Sequence, residues 1–198
     1  MTEKTAFDIL FDKLHAKGMK PETQISAKTF IVPGKDRLLN TKYIIASNSS
    51  FFFCAYDSFG TSAYSSKTFT GIYSAINLPN EIECNIYKKE WTDFILRRRK
   101  QKTGINYIDQ NFTITSSTNW TPAFLLNLTN VNQYLELINK ISPLKIIIQY
   151  DYLPIVNELK GKTIIGIETN NWLYEDNDLD MFINFGGQLI KNMTNTCA

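Results

Sequence analysis

The hydrophobic positions change period along the chain, and the changes mark its elements. Phe7, Leu10, Phe11 and Leu14 recur at i, i+3, i+4 and i+7, and Gly18 follows. That spacing predicts a short amphipathic helix ended by a glycine at C′. From Lys28 to Tyr87 the texture turns to β. Thr29-Phe-Ile-Val runs into the turn pair Pro33-Gly34, and Tyr43-Ile-Ile-Ala-Ser and Phe51-Phe-Phe-Cys-Ala-Tyr flank Asn48-Ser-Ser. Phe69 to Leu78 and Glu81 to Tyr87 flank a further turn at Asn77-Leu-Pro-Asn. Ile82, Cys84 and Ile86 alternate with Glu81, Glu83 and Asn85, so one face is expected buried and the other wet. Connections this short predict an antiparallel meander.

The stretch from Asn111 to Gly161 carries the strongest pattern. Phe112-Thr-Ile-Thr-Ser reads as a strand, and Thr121 as N-cap with Pro122 at N1 opens a helix that runs to Lys140. Phe124, Leu128, Val131, Leu135 and Ile138 form its apolar stripe. Pro143 ends it, and Leu144-Lys-Ile-Ile-Ile-Gln-Tyr is the next strand. If the two strands are parallel neighbours, their crossover is right-handed. Lys160-Gly-Lys is a turn and Thr163-Ile-Ile-Gly-Ile-Glu another strand. The isoleucines at 146–148 and at 164, 165 and 167 predict strands covered on both faces. A last helix over 176–194 presents Leu179, Phe182, Ile183, Gly186, Ile190 and Met193. Gly186 would permit close approach to the sheet, whereas Gly187 has no role that the sequence shows. The fold class is α+β: a largely antiparallel twisted sheet packed against two main helices, with one short N-terminal helix. Residues 1–198 read as one domain, and Gln101–Gly104 is where two subdomains would part.

Composition adds limits. Hydrophobic residues make up 43% and charged ones 20%, which is ordinary globular usage and excludes disorder. A net charge of +2 supplies no global field for nucleic acid. Cys54, Cys84 and Cys197 are odd in number and form no C-x-x-C, which points to a reducing, cytoplasmic setting. The first residues carry acid where a signal peptide carries an apolar run, and no stretch approaches the roughly 18 apolar residues of a spanning helix. Five Asn-x-Ser/Thr triplets are what a chain rich in Asn contains by chance.

Candidate chemistry is sparse. His15 is the one histidine, which excludes multi-histidine metal sites and leaves few base–nucleophile pairings. No phosphate-loop, dinucleotide, zincin or nucleophile-elbow motif is present. Asp176, Asp178 and Asp180 alternate like a calcium loop, but Met181 replaces the required glycine and Gly187 the closing glutamate. Helix capping explains those acids, and neither a metal nor a cofactor is expected. Asp57, Glu81, Glu83 and Asp109 would have to converge for carboxylate chemistry, and no spacing selects a pair. Tyr43, Phe51, Phe52, Phe53, Tyr56, Phe59, Tyr64, Phe69 and Tyr73 either line a pocket or fill the core. The polar loop that opens at Asp57 is the natural place for a ligand on a rigid sheet. The one basic concentration spans Lys88 to Lys102, with Arg97, Arg98, Arg99 and Lys100 at its centre. It caps a helix end through the dipole or holds an anionic partner.

Phe112-Thr-Ile-Thr-Ser-Ser, the Pro122-Ala-Phe-Leu-Leu run, a helix and the Ile-rich strand pair resemble an uncharacterised family of bacterial domains, over residues 105–193. Longer members of that family carry membrane helices ahead of the domain, which this chain lacks. The resemblance implies no catalytic residue. The functional expectation is therefore a non-catalytic cytosolic binding or interaction module for a protein or small ligand. The alternatives are an enzyme with a carboxylate site beside the aromatic sheet, and a peripheral module touching anionic surfaces through Arg97–Lys100.

Overall fold

The computed structural model describes residues 4–32, 35–59, 67–90, 101–118 and 120–196. Helix α1 (Ala6–Ala16) starts where the Thr5 hydroxyl accepts from the Asp8 amide and the Asp8 carboxylate accepts from the Thr5 amide. This reciprocal box satisfies two donors that the helix cannot. Gly18, at φ +76°, ends it in the left-handed region. Leu10 and Leu14 are fully buried, with Phe7 and Phe11 packed at their margin.

Eight strands make one sheet: β1 (Lys20–Val32), β2 (Lys35–Ser47), β3 (Phe52–Phe59), β4 (Lys67–Ala75), β5 (Cys84–Lys88), β6 (Phe112–Ser116), β7 (Leu144–Tyr150) and β8 (Thr163–Thr169). Their order is β1-β2-β3-β4-β8-β7-β5-β6, and every adjacent pair is antiparallel. Strands from both sides of residues 101–104 share it. The β2–β3 turn forms as expected, with Asn48 Oδ1 accepting from the amides of Ser50 and Phe51. Pro33-Gly34 lies outside the described residues, between strands still in register at Val32 and Lys35.

The expected meander holds through β4 and then breaks. β4 pairs with β8, and β5 pairs with β6 and β7, so no β4–β5 hairpin exists. The composition of the strands supplies the reason. β8 is buried at every position and β7 at most, so both need central places. β5 hides only alternate residues and tolerates a place nearer the edge. β6 and β7 run parallel but are not neighbours, because β5 lies between them.

Helix α2 (Asn106–Asn111) precedes β6, and α3 (Leu128–Lys140) precedes β7. α3 does not start at Thr121–Pro122: residues after Pro122 form a turn on its carbonyl, and Asn127 is the N-cap, accepting from the Asn130 amide. The stripe is rotated from the one expected. Asn130, Val131, Tyr134, Leu137 and Ile138 are buried, Leu135 is half-buried, and Leu128 is 60% exposed. Two polar residues can lie on the buried stripe because their polar atoms are satisfied. Tyr134 donates to the carbonyls of Ile86 or Leu144, and Asn130 donates to Leu125.

The last helix comprises α4 (Asp176–Met181), a π-helical stretch (Phe182–Gly186) and α5 (Gly187–Asn195), continuous in helical backbone. Gly187 now has a reason: a Cβ there would sit 2.3 Å from Phe51 Cε1. Asp176 pairs with Lys13 at 3.1 Å and Asp180 with Lys17, so those acids fasten α4 to α1.

The sheet is covered on both faces, one more than two packed helices account for. On the first, α1, α3 and α4–α5 enclose Ile44, Phe53, Ile72, Ile146 and Ile167. On the second, Leu153, Val156 and Leu159 of the β7–β8 connection lie over Ile45, Cys54, Tyr73, Ile147 and Ile164. Among the described residues no helix is long and apolar enough to cross a membrane.

Candidate functional site

On the first face, Lys42, Asp57 and Thr68 stand directly opposite one another across β2, β3 and β4. Beyond β8 the chain crosses above them. Thr70 Oγ1 donates to Asn171 O at 2.8 Å and accepts from the Leu173 amide, which pins the crossing. Trp172 is thereby laid against α1: its ring stacks on Phe7 at 5.9 Å between centroids, and its Nε1 donates to Ala6 O. Lys13 donates to Tyr174 O at 2.6 Å and fixes the next residue. The result is a cleft of about 420 Å³, walled by Phe7, Trp172 and Tyr174 and floored by Lys42, Asp57 and Thr68.

The charges in this cleft are unusually placed. Lys42 Nζ sits 3.7 Å from the Phe7 ring centroid, a cation–π contact. Asp57 Oδ1 accepts from Thr68 Oγ1 at 3.0 Å. Among the described residues neither charge has an ion-pair partner, although the two are cross-strand neighbours. Past Phe7, a smaller hollow of about 230 Å³ shares Lys42 and adds Asp8, Asp12 and Thr23. Asp8 is held below the usual carboxylate range, first by the Thr5 hydroxyl and amide and less by the Lys42 charge.

The second face carries a buried carboxylate. Glu168 is fully buried, in register between Gly71 and Lys145. Tyr73 donates to its Oε1 at 2.6 Å, and Lys145 Nζ lies 2.9 Å from Oε2 as an ion pair with no aligned hydrogen bond on that oxygen. Two glycines make this possible. A Cβ at Gly71 would fall 2.2 Å from Tyr73 Oη, and one at Gly166 2.4 Å from Tyr73 Cδ1, so the ring lies flat in the groove between them. Tyr43, Tyr56 and Phe69 stack in sequence across three strands at 5.3 and 4.9 Å. Burial, reinforced by the Glu168 charge, pushes the hydroxyls of Tyr56, Tyr73 and Tyr152 and the Cys54 thiol well above their ordinary ranges. Among the described residues the buried carboxylate is thus engaged by Tyr73 on one oxygen and by Lys145 on the other.

Of the residues singled out in the sequence, Arg97, Arg98, Arg99 and Lys100 lie outside the described residues, as do residues 91–96 before them and residues 60–66 of the polar loop. The four carboxylates do not come together. Asp57 is in the cleft, and Asp109 accepts from the Thr103 and Gly104 amides and the Thr103 hydroxyl. Glu81 and Glu83 are exposed at the opposite side of β4 in the sheet order. His15 is exposed at the end of α1. The aromatics divide: Phe51, Phe53 and Tyr73 fill cores, while Tyr43, Phe52, Tyr56 and Phe69 are half-buried on the second face. Among the described residues, no group of three or more potential ligands is placed to hold a metal. Phe7, Lys42 and Trp172 were not anticipated as a site because the cleft joins segments from opposite ends of the sequence, and Glu168 was not because its partners, Tyr73 and Lys145, lie on neighbouring strands remote from one another in sequence. Glycines inside the strands at 71 and 166 were the available signal of close approach. Comparison with family models, curated proteins and solved structures found no match.

Proposed function

We propose that the chain is a non-catalytic binding module whose small-molecule ligand enters the cleft between Phe7, Trp172 and the floor of β2–β4. The observation that carries this reading is the convergence of three aromatic walls and three polar tips in one concavity of about 420 Å³. Volume, apolar walls and a few placed polar groups are the attributes of a ligand site. The walls are held before any ligand arrives, by the Thr70 clamp and the Trp172–Ala6 hydrogen bond, which lowers the ordering cost of binding. The buried glutamate on the other face gives no comparable support to a catalytic reading, since Tyr73 and Lys145 already engage both its oxygens.

The proposed setting is a reducing compartment. Cys54 and Cys84 are free and buried, on β3 and β5, with β4, β8 and β7 between them. Strand spacing alone separates them by about 19 Å, far beyond disulfide reach.

The test is a titration with indole at millimolar concentration, followed by amide and side-chain chemical shifts. Shifts should cluster on Phe7, Lys42, Thr68, Trp172 and Tyr174 and vanish in Trp172→Ala. Shifts absent with indole and with its charged derivatives alike, or scattered over the surface, would refute the reading.

A further inference from the structure

Lys42 and Asp57, which have no ion-pair partner among the described residues, say more than that something binds. Lys42 and Asp57 are directly opposed across β2 and β3, on the same face. Cβ atoms in such a pair lie about 5 Å apart, and opposite charges there ordinarily meet. These do not: the ammonium is drawn over the Phe7 ring, and the carboxylate is held by Thr68 on the next strand. The cleft therefore offers a cation and an anion side by side, the one over the Phe7 ring and the other held by Thr68, in a concavity that Trp172 and Tyr174 also line.

We propose that the ligand is a small zwitterion with a flat apolar side chain, of the α-amino-acid class; this rests on the cleft being the binding site. Its carboxylate would take Lys42, its ammonium would take Asp57 and the Thr68 hydroxyl, and its side chain would lie along Trp172 and Tyr174. Charge complementarity selects this class over its neighbours. An anion alone leaves Asp57 facing it, and a cation alone meets Lys42. A neutral ring desolvates both charges without replacing their water. A zwitterion on one carbon answers both charges at once, through charge-assisted hydrogen bonds on each side.

Four probes sharing one ring system test the inference: L-tryptophan, tryptamine (ammonium only), indole-3-propionate (carboxylate only) and 3-methylindole (neither). Dissociation constants are read from chemical shifts with wild type, Lys42→Met and Asp57→Asn, each variant first shown to melt as wild type does. L-Tryptophan should bind about tenfold tighter than either half-charged probe, the worth of one hydrogen bond to a charged group. Lys42→Met should bring L-tryptophan down to tryptamine, and Asp57→Asn down to indole-3-propionate. Four equal affinities, all abolished by Trp172→Ala, would leave the cleft standing and overturn the zwitterion. A gain from only one of the two charges would overturn it as well. No cleft shifts with any probe would remove both readings together. The wild-type series decides the matter even if a variant fails to fold.

Discussion

Replacing Lys145 with methionine isolates the charge of Glu168. The carboxylate is fully buried, and among the described residues Lys145 is the cation paired with it, 2.9 Å from Oε2 with a side chain 34% exposed. At that separation the gross attraction is about 6 kcal/mol for an effective dielectric constant near 20. It is not the expected loss, because the native pair already bears a desolvation cost. Breaking a buried pair typically costs about 3–5 kcal/mol, through the uncompensated charge left behind. The lysine end is partly wet, so water shares its role and the lower end, about 3 kcal/mol, is expected. Against a typical stability of about 5–15 kcal/mol that is a large fraction. Glu168→Gln in the same background removes the stranded charge while an amide oxygen still accepts from Tyr73. The double variant should therefore return to within about 1 kcal/mol of wild type, as neutral replacements of buried pairs often do. Urea unfolding of wild type, both single variants and the double variant gives the coupling directly. A Lys145→Met loss below about 0.5 kcal/mol, or a double variant as unstable as the sum of the singles, would refute the reasoning.

Three further outcomes are expected. Leu137→Ala should cost about 2–5 kcal/mol, while Leu128→Ser should stay within about 0.5 kcal/mol; equal losses in urea would restore the unrotated stripe. Gly166→Ala should destabilise by about 1–3 kcal/mol by driving a methyl into Tyr73, and near-ultraviolet dichroism should report the displaced ring; an unchanged spectrum and midpoint would argue against the flat packing. Tyr73, Tyr134 and Tyr152 have hydroxyls raised in the fold, chiefly by burial. A raised folded value means stability is intact below the unfolded value of about 10 and is lost as pH climbs above it, because only the unfolded chain releases those protons. Tyrosinate absorbance should thus rise in two stages, the second coinciding with unfolding; a single non-cooperative stage would be inconsistent with the burial.

What was legible in the chain was whatever rests on local periodicity. The capping of α1, the Asn48 turn and the two-sided burial of the isoleucine strands all follow from neighbours a few residues apart. Pairing was not legible, since hydrophobic alternation says which face of β5 is buried but not which strands lie beside it. α3 shows a subtler failure. Tyr134 and Asn130 are polar by letter yet buried, because carbonyls of β5, β7 and the preceding turn receive their hydrogens. Gly187 was opaque for a similar reason: the ring it accommodates belongs to Phe51, well over a hundred residues earlier in the chain. Lys42 and Asp57 could be seen as charges but not as neighbours, and their meaning depends on that adjacency.

The insertion of β8 between β4 and β7 sets a timetable for synthesis. Thr70 of β4 waits for Thr169 of β8, roughly a hundred residues later in the chain. At about 5–20 residues per second, a ribosome leaves the inner border of β4 without its partner for about 5–20 s. During that interval β1 to β4, consecutive both in sequence and in the finished sheet, have all been made, and in the finished register the border of β4 that carries Ile72 and Tyr73 has only β8 to pair with. Such a border invites pairing with another nascent chain. Closure of the sheet thus waits for β8, and until it is made the vulnerable species is a nascent polypeptide whose β4 border has no partner.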